Sequence, residues 1–221
     1  MQAALLVIMT PTDVQSAWTL EVFGGLPWNM PTPLSIHQCG EERIYLTARY
    51  NTKPYERPPY YSLRIAKWTQ NHGWELELIH HKLYLSNQPL EVQRFEISHG
   101  YNLITINRVL VYRNFIWRKG AGIVIAHPET VIRGKKLPWG KGLNGFYVSG
   151  PVLQVAIEKK LSVWDGLFVA LEGKLTASYT VIPIRDGNAY VSNVAVHGLF
   201  YHFPCRSSRI MGGRICFSSV F

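Results

Sequence analysis

Strand-like runs joined by links that alternate between short and long constrain this chain more than any single motif. Breaks of a few residues fall at Gln70-Asn71-His72, at Arg113-Asn114 and around Lys159 to Trp164. Longer links run from Pro27 to Arg57, Ser86 to Gln93, His127 to Gly145 and Val181 to Asn188. Between them lie eight runs of alternating polarity. Each is long enough to cross a bilayer obliquely, which takes about 9–11 residues. An even strand number with short turns on one side and long loops on the other predicts an eight-stranded antiparallel up-and-down transmembrane β-barrel in a bacterial outer membrane.

Composition agrees. Hydrophobic residues make up 47% and charged residues 17%, yet no apolar stretch reaches the roughly 18 residues of a transmembrane helix. Aromatics reach 13%, with 12 Tyr and 7 Trp, as interfacial girdles require. The net charge of +9 calls for an anionic partner. The Lys and Arg residues form no nucleic-acid motif, so in an outer membrane the anion expected is lipopolysaccharide phosphate; the barrel is expected to be a monomer. Cys39, Cys205 and Cys216 form no CxxC, so neither thiolate-metal chemistry nor a disulfide framework is expected.

Residues 1–17 read as the back half of a secretory signal peptide without its basic leader, or as a disordered tail; 18–203 form the barrel, and 204–221 an irregular C-terminal tail.

Side chains of a strand alternate faces, so parity sorts each run. Leu167, Val169, Leu171, Leu175, Ala177 and Tyr179 oppose Glu172, Lys174, Thr176 and Ser178, and Leu63 and Ile65 oppose Ser62 and Arg64. The polar face collects Arg64, Glu75, Glu77, Arg94, Glu96, Arg118, Glu158, Glu172 and Lys174. An eight-stranded interior is just wide enough for these to pair across it and plug it. Parity alone leaves open a soluble lipocalin-type calyx, with apolar residues inward and polar residues outward.

The hairpin Gly73–Leu85 and Arg94–Asn107 carries the candidate site. Trp74, Leu76 and Leu78 mark one lipid face, and Phe95, Ile97 and Leu103 the other. Pairing Leu85 with Arg94 makes these faces coincide and sets His80 opposite His99, about 5 Å apart at Cβ. His80, Lys82, Tyr84, His99 and Tyr101 then form an outward polar patch below a long loop; His81 points inward opposite Ser98 as a hydrogen-bonded core histidine. The bland alternative is an interfacial girdle of snorkelling side chains.

The runs Pro58-Pro59-Tyr60-Tyr61-Ser62-Leu63-Arg64, His80-His81-Lys82-Leu83-Tyr84 and Phe95 to Asn107, with Gly120-Ala121-Gly122, His127-Pro128 and Glu172-Gly173-Lys174, resemble the bacterial lipid A oxidase-like outer-membrane proteins. The resemblance spans about Pro58 to Phe203. It implies oxidation of a lipid A glucosamine to an aminogluconate with dioxygen. His80, His99, Tyr84 and Tyr101 are then the catalytic candidates, with Lys82 and His127 binding substrate. A divalent metal would need His127, Glu129, water or substrate oxygens beside the two histidines. The His-x-Ser pair of the similarly sized lipid A 3-O-deacylases is missing, since Lys82 follows His80 and Tyr101 follows His99 at that spacing, and Ser98 is expected on the other face.

Overall fold

Hairpin geometry is set locally. Arg113 and Asn114 both have positive φ (49° and 66°), as do Arg133 and Gly134 (50° and 71°). Two successive left-handed residues make the type I′ turn whose twist matches that of paired strands. Between such turns, runs rich in Val, Ile, Leu and aromatics extend into strands.

The computed structural model describes residues 16–138, 140, 142–164, 167–204, 206–210 and 213–217. Its strands are β1 (Ser16–Asn29), β2 (Thr32–Gln38), β3 (Ile44–Ala48), β4 (Tyr50–Asn51), β5 (Tyr61–Thr69), β6 (His72–Leu85), β7 (Val92–Tyr112), β8 (Phe115–Ala126), β9 (Glu129–Ile132), β10 (Lys135–Lys136), β11 (Tyr147–Trp164), β12 (Leu167–Ile184), β13 (Gly187–Pro204), β14 (Arg206–Ile210) and β15 (Gly213–Phe217). Among the described residues there is no α-helix, only a 3-10 turn at Gly142–Gly145.

One antiparallel path runs β1-β5-β6-β7-β8-β11-β12-β13, and β13 pairs back onto β1 from Gly24↔Phe200 to Asn29↔Ala195. β2 and β3 add to the far end of β13, β4 to β6, and β9 to β7. The sheet therefore continues into the segments read as long loops. The expected loop Val181–Asn188 is instead a tight turn at Arg185-Asp186, because β12 and β13 pair all the way to Ile184↔Gly187. Likewise β11 runs through the expected turn at Lys159 to Trp164. The segment expected as an irregular tail holds the β14–β15 hairpin, with β15 parallel to β1 at Trp18–Leu20. The proposed signal peptide lies almost wholly outside the described residues.

The inner space has two layers. Toward the short turns, Arg64, Glu75, Glu77, Arg118, Glu158, Glu172 and Lys174 are all buried. Arg64 Nε lies 2.9 Å from Glu77, and Arg118 lies 2.9 Å from Glu75, 2.9 Å from Glu158 and 3.0 Å from Glu172. Lys174 bridges to Glu77, and Gln154 and Asn107 donate into the same carboxylates. Toward the long links the inner face is apolar: Leu34, Ile36, Leu83, Phe95, Ile97, Ile132, Ile182 and Val191 pack as a core.

The outer face is the reverse of the charged layer. Trp74, Leu76, Ile106, Leu153, Val155 and Leu171 leave about half or more of their surface exposed. Charge inside and large hydrophobics outside is opposite to the lipocalin-type calyx.

Arg94 and Glu96, expected among the interior charges, sit instead near the start of β7 and are partly exposed. The lipid face assigned to Phe95, Ile97 and Leu103 is also corrected, since all three are buried inward while Ile104 and Ile106 continue the outer row.

Candidate functional site at the outer rim

The outer row of β6 passes from Trp74, Leu76 and Leu78 to His80, Lys82 and Tyr84, as expected. Its partners differ from expectation. The register pairs His80 with Asn102 and His81 with Tyr101, then resumes at Leu83↔Ile97 and Tyr84↔Glu96. Ser98, His99 and Gly100 together oppose Lys82 in a bulge, and Gly100 holds φ +136°, a conformation open to glycine but costly for other residues. His80 therefore does not face His99. The bulge turns His99 outward, while Tyr101, expected on the lipid face, points inward and bonds Ser178 at 2.8 Å.

His80 stacks on Tyr61 (5.2 Å between ring centres) and shares a 2.8 Å hydrogen bond between Nδ1 and Asn102 Oδ1. Lys82 donates to the Glu56 carbonyl at 2.9 Å, and the Lys53 ammonium sits 4.7 Å over the Tyr84 ring. The segment before β5 thus lies against this end of β6, leaving His80 4% and Lys82 1% exposed.

The accessible chemistry lies one strand over. Glu129, at the start of β9, holds His99 Nδ1 at 2.8 Å and accepts from Ser98 Oγ at 2.9 Å. Arg94 Nη2 bridges Glu129 and Glu96, 2.8 Å from each. Partial burial would raise the Glu129 carboxyl, but the Ser98 hydrogen bond and the charges of Arg94 and His99 outweigh it and hold the group below the usual range. The His99 side chain is 46% exposed. His127 is buried beside it, ring centres 5.3 Å apart, with its backbone N–H on the Gly100 carbonyl.

A carboxylate on Nδ1 fixes the tautomer and puts the basic lone pair of neutral His99 on Nε2, the arrangement of an oriented acid–base group. Ser98 is not on the far face, as the sequence suggested. It nevertheless bonds the same Nδ1 (3.3 Å) that Glu129 holds, so it lacks the relation of a nucleophile to the Nε2 base.

A divalent ion does not fit. Glu129 is committed to Arg94, Ser98 and His99, and no group of three His, Cys, Asp or Glu among the described residues is arranged to hold a metal.

Sequence reasoning missed Ser98, Arg94 and Asn102 as partners. It placed His81 inward as a hydrogen-bonded core histidine, and His81 is buried and bonds Asn29 at 3.0 Å, opposite Tyr101 and not Ser98; what it missed is His197 beside it, which bonds Tyr60 at 3.0 Å and Thr176 at 2.9 Å. The glycine within the strand Phe95 to Asn107 was the available signal, since strand glycines often mark bulges.

Neither a protein-family model nor any curated protein matches this chain. Among solved structures it is similar to the outer membrane protein AlkL, determined by solid-state NMR in DMPC bilayers, at 9% identity and a TM-score of 0.46, covering 95% of this chain and 100% of that one. It is also similar to Ail, the attachment invasion locus protein of Yersinia pestis, at 10% identity and a TM-score of 0.35, covering 84% and 99%. Such identities transfer no residue roles.

Proposed function

We propose that this chain is an eight-stranded transmembrane β-barrel of the bacterial outer membrane whose rim works on lipopolysaccharide. The single observation that carries this reading is the inverted distribution of polarity. A ring of paired strands that buries Arg64, Arg118, Glu75, Glu77, Glu158 and Glu172 while exposing Trp, Leu and Ile is stable only where the outer solvent is hydrocarbon. His99, Glu129, Arg94 and Tyr84 then stand at headgroup level, beside long Arg and Lys side chains suited to lipid A phosphates.

The finer reading is oxidation of a lipid A glucosamine. It rests on the family resemblance together with the Glu129-oriented His99. The sugar, with its C1 hydroxyl free, gives up two electrons and two protons from C1 to dioxygen, which leaves as hydrogen peroxide. Water then opens the resulting lactone, so the aminogluconate carries one oxygen more, and His99 takes the C1 hydroxyl proton through Nε2 and passes it to the peroxide. Lys82, His80 and Tyr101 act here by holding the walls, because none reaches the surface; His127 supports the His99 ring from beneath.

Lipid A mass spectrometry in a host lacking the activity tests this. Aerobic expression of the wild type should add one oxygen to lipid A. His99→Ala should abolish the change, while Tyr101→Phe should leave most of it. Unchanged lipid A from well-folded wild-type protein would sink the enzymatic reading and leave a second one standing. That second reading is a non-catalytic barrel that binds lipopolysaccharide or strengthens the membrane, favoured by the burial of His80 and Lys82.

A further inference from the structure

On the outer face of β2, β3, β12 and β13, strands that take no part in the His99 rim, lies a cleft of about 500 Å³. Its construction follows from register. Tyr190 pairs with Ser35, and Ser35 with Tyr45, so the three side chains form one row across adjacent strands. One step along, Tyr179 pairs with Ser192. At about 4.8 Å per strand, the backbones of Tyr45 and Tyr190 stand roughly 10 Å apart with only a serine between them. The cleft thus has a floor of small hydroxyl residues and aromatic walls.

Arg43 closes the open end. Its Nη1 donates to the Tyr45 hydroxyl at 3.1 Å, and its charge also acts on Tyr190. Both Arg43 and Ser35 hydrogen-bond Tyr45 and pull its phenol below the usual range.

Interfacial tyrosines of a membrane barrel typically ring it as a girdle. This group differs in two respects: Ser35, Ser192 and Thr47 place hydroxyls between the tyrosines, beside Pro33, Leu34 and Leu46, and a guanidinium bonds the Tyr45 wall. Hydroxyls and a cation are poor company for an acyl chain. They suit a saccharide ring, whose C–H faces stack on aromatics and whose hydroxyls bond the floor. A planar guanidinium matches a carboxylate in two-point contact.

We propose that this cleft binds an acidic sugar residue of a surface glycan, stacked between Tyr45 and Tyr190 with its carboxylate on Arg43. The inference uses the fold and the outward aspect of this face, and is independent of any reaction at His99.

The test is calorimetric titration of the full chain, folded in detergent, with a soluble hexuronic-acid disaccharide and with its carboxyl-reduced counterpart. The acid should bind at least tenfold more tightly than the reduced sugar. Arg43→Gln should erase that difference, Tyr190→Ala should weaken binding of both sugars about tenfold, and Tyr190→Phe should retain the stacking and most of the affinity. Lack of saturable binding by folded protein would overturn the proposal, as would equal affinity for the two sugars or binding indifferent to Arg43 and Tyr190. Folding of every variant is checked by gel mobility before and after heating, so a collapsed barrel is not mistaken for an empty cleft.

Discussion

Glu129 does two jobs through its two oxygens: one orients His99 and accepts the Ser98 hydrogen bond, the other pairs with Arg94. Glu129→Gln should therefore leave the barrel folded and lower lipid A modification by about 10²-fold or more, the size of general acid–base effects. Its pH dependence has a defined sign. A carboxyl held below the ordinary value near 4.5 stabilises the folded form fully above that value and loses the contribution as pH falls through the depressed pKa. Melting curves of wild type and Glu129→Gln should show their full difference above the ordinary carboxyl value near 4.5 and converge as pH falls through the depressed pKa. A difference that grows on acidification would contradict the assignment. His80, His99 and Tyr84 could be picked from the sequence because polar residues interrupt an apolar outer row. Glu129 was legible as a loop residue near the histidines, though only as a metal ligand; Asn102 and Ser98 were not, since they meet the histidines through a bulge that parity counting passes over.

The β6–β7 hairpin shows why face assignment succeeded on some strands and inverted on another. On β5, β11 and β12, hydrophobic residues point outward and charges inward, so polarity reads the face correctly. β7 runs on into the apolar half of the interior, where Phe95 and Ile97 point inward. Polarity there means the opposite, and a rule calibrated on the charged half turns the strand over. Gly100 fixes the true register. A Cβ at this position meets the Asn102 side chain, and the backbone is in the left-handed half of conformational space. Gly100→Ala should cost about 1–3 kcal/mol and loosen the His80–Asn102 bond. Denaturant unfolding in detergent and the ring chemical shifts of His80 would read both effects; a variant as stable as the wild type would refute the role given to the bulge.

Among the described residues the sheet fills its own interior twice, with an ionic lattice in one half and an apolar core in the other. Reconstituted in planar bilayers it should show no steady conductance. Arg118 serves Glu75, Glu158 and Glu172, and Arg64 reaches the same three carboxylates. Arg118→Met should cost about 3–5 kcal/mol by leaving the buried carboxylates short of one of these two guanidinium groups, and adding Glu158→Gln should return part of that loss. The sequence announced this lattice because its members share one parity on five strands. It did not announce the apolar cap, because strands β2, β3 and β9 are short and lie in stretches punctuated like loops. The most direct test of the account is electrophoretic mobility of the detergent-folded protein before and after boiling, paired with circular dichroism. A closed strand-only barrel stays folded in the unheated sample, migrates apart from the boiled one and gives a β spectrum. Identical mobility before and after heating, or a helical spectrum, would contradict it.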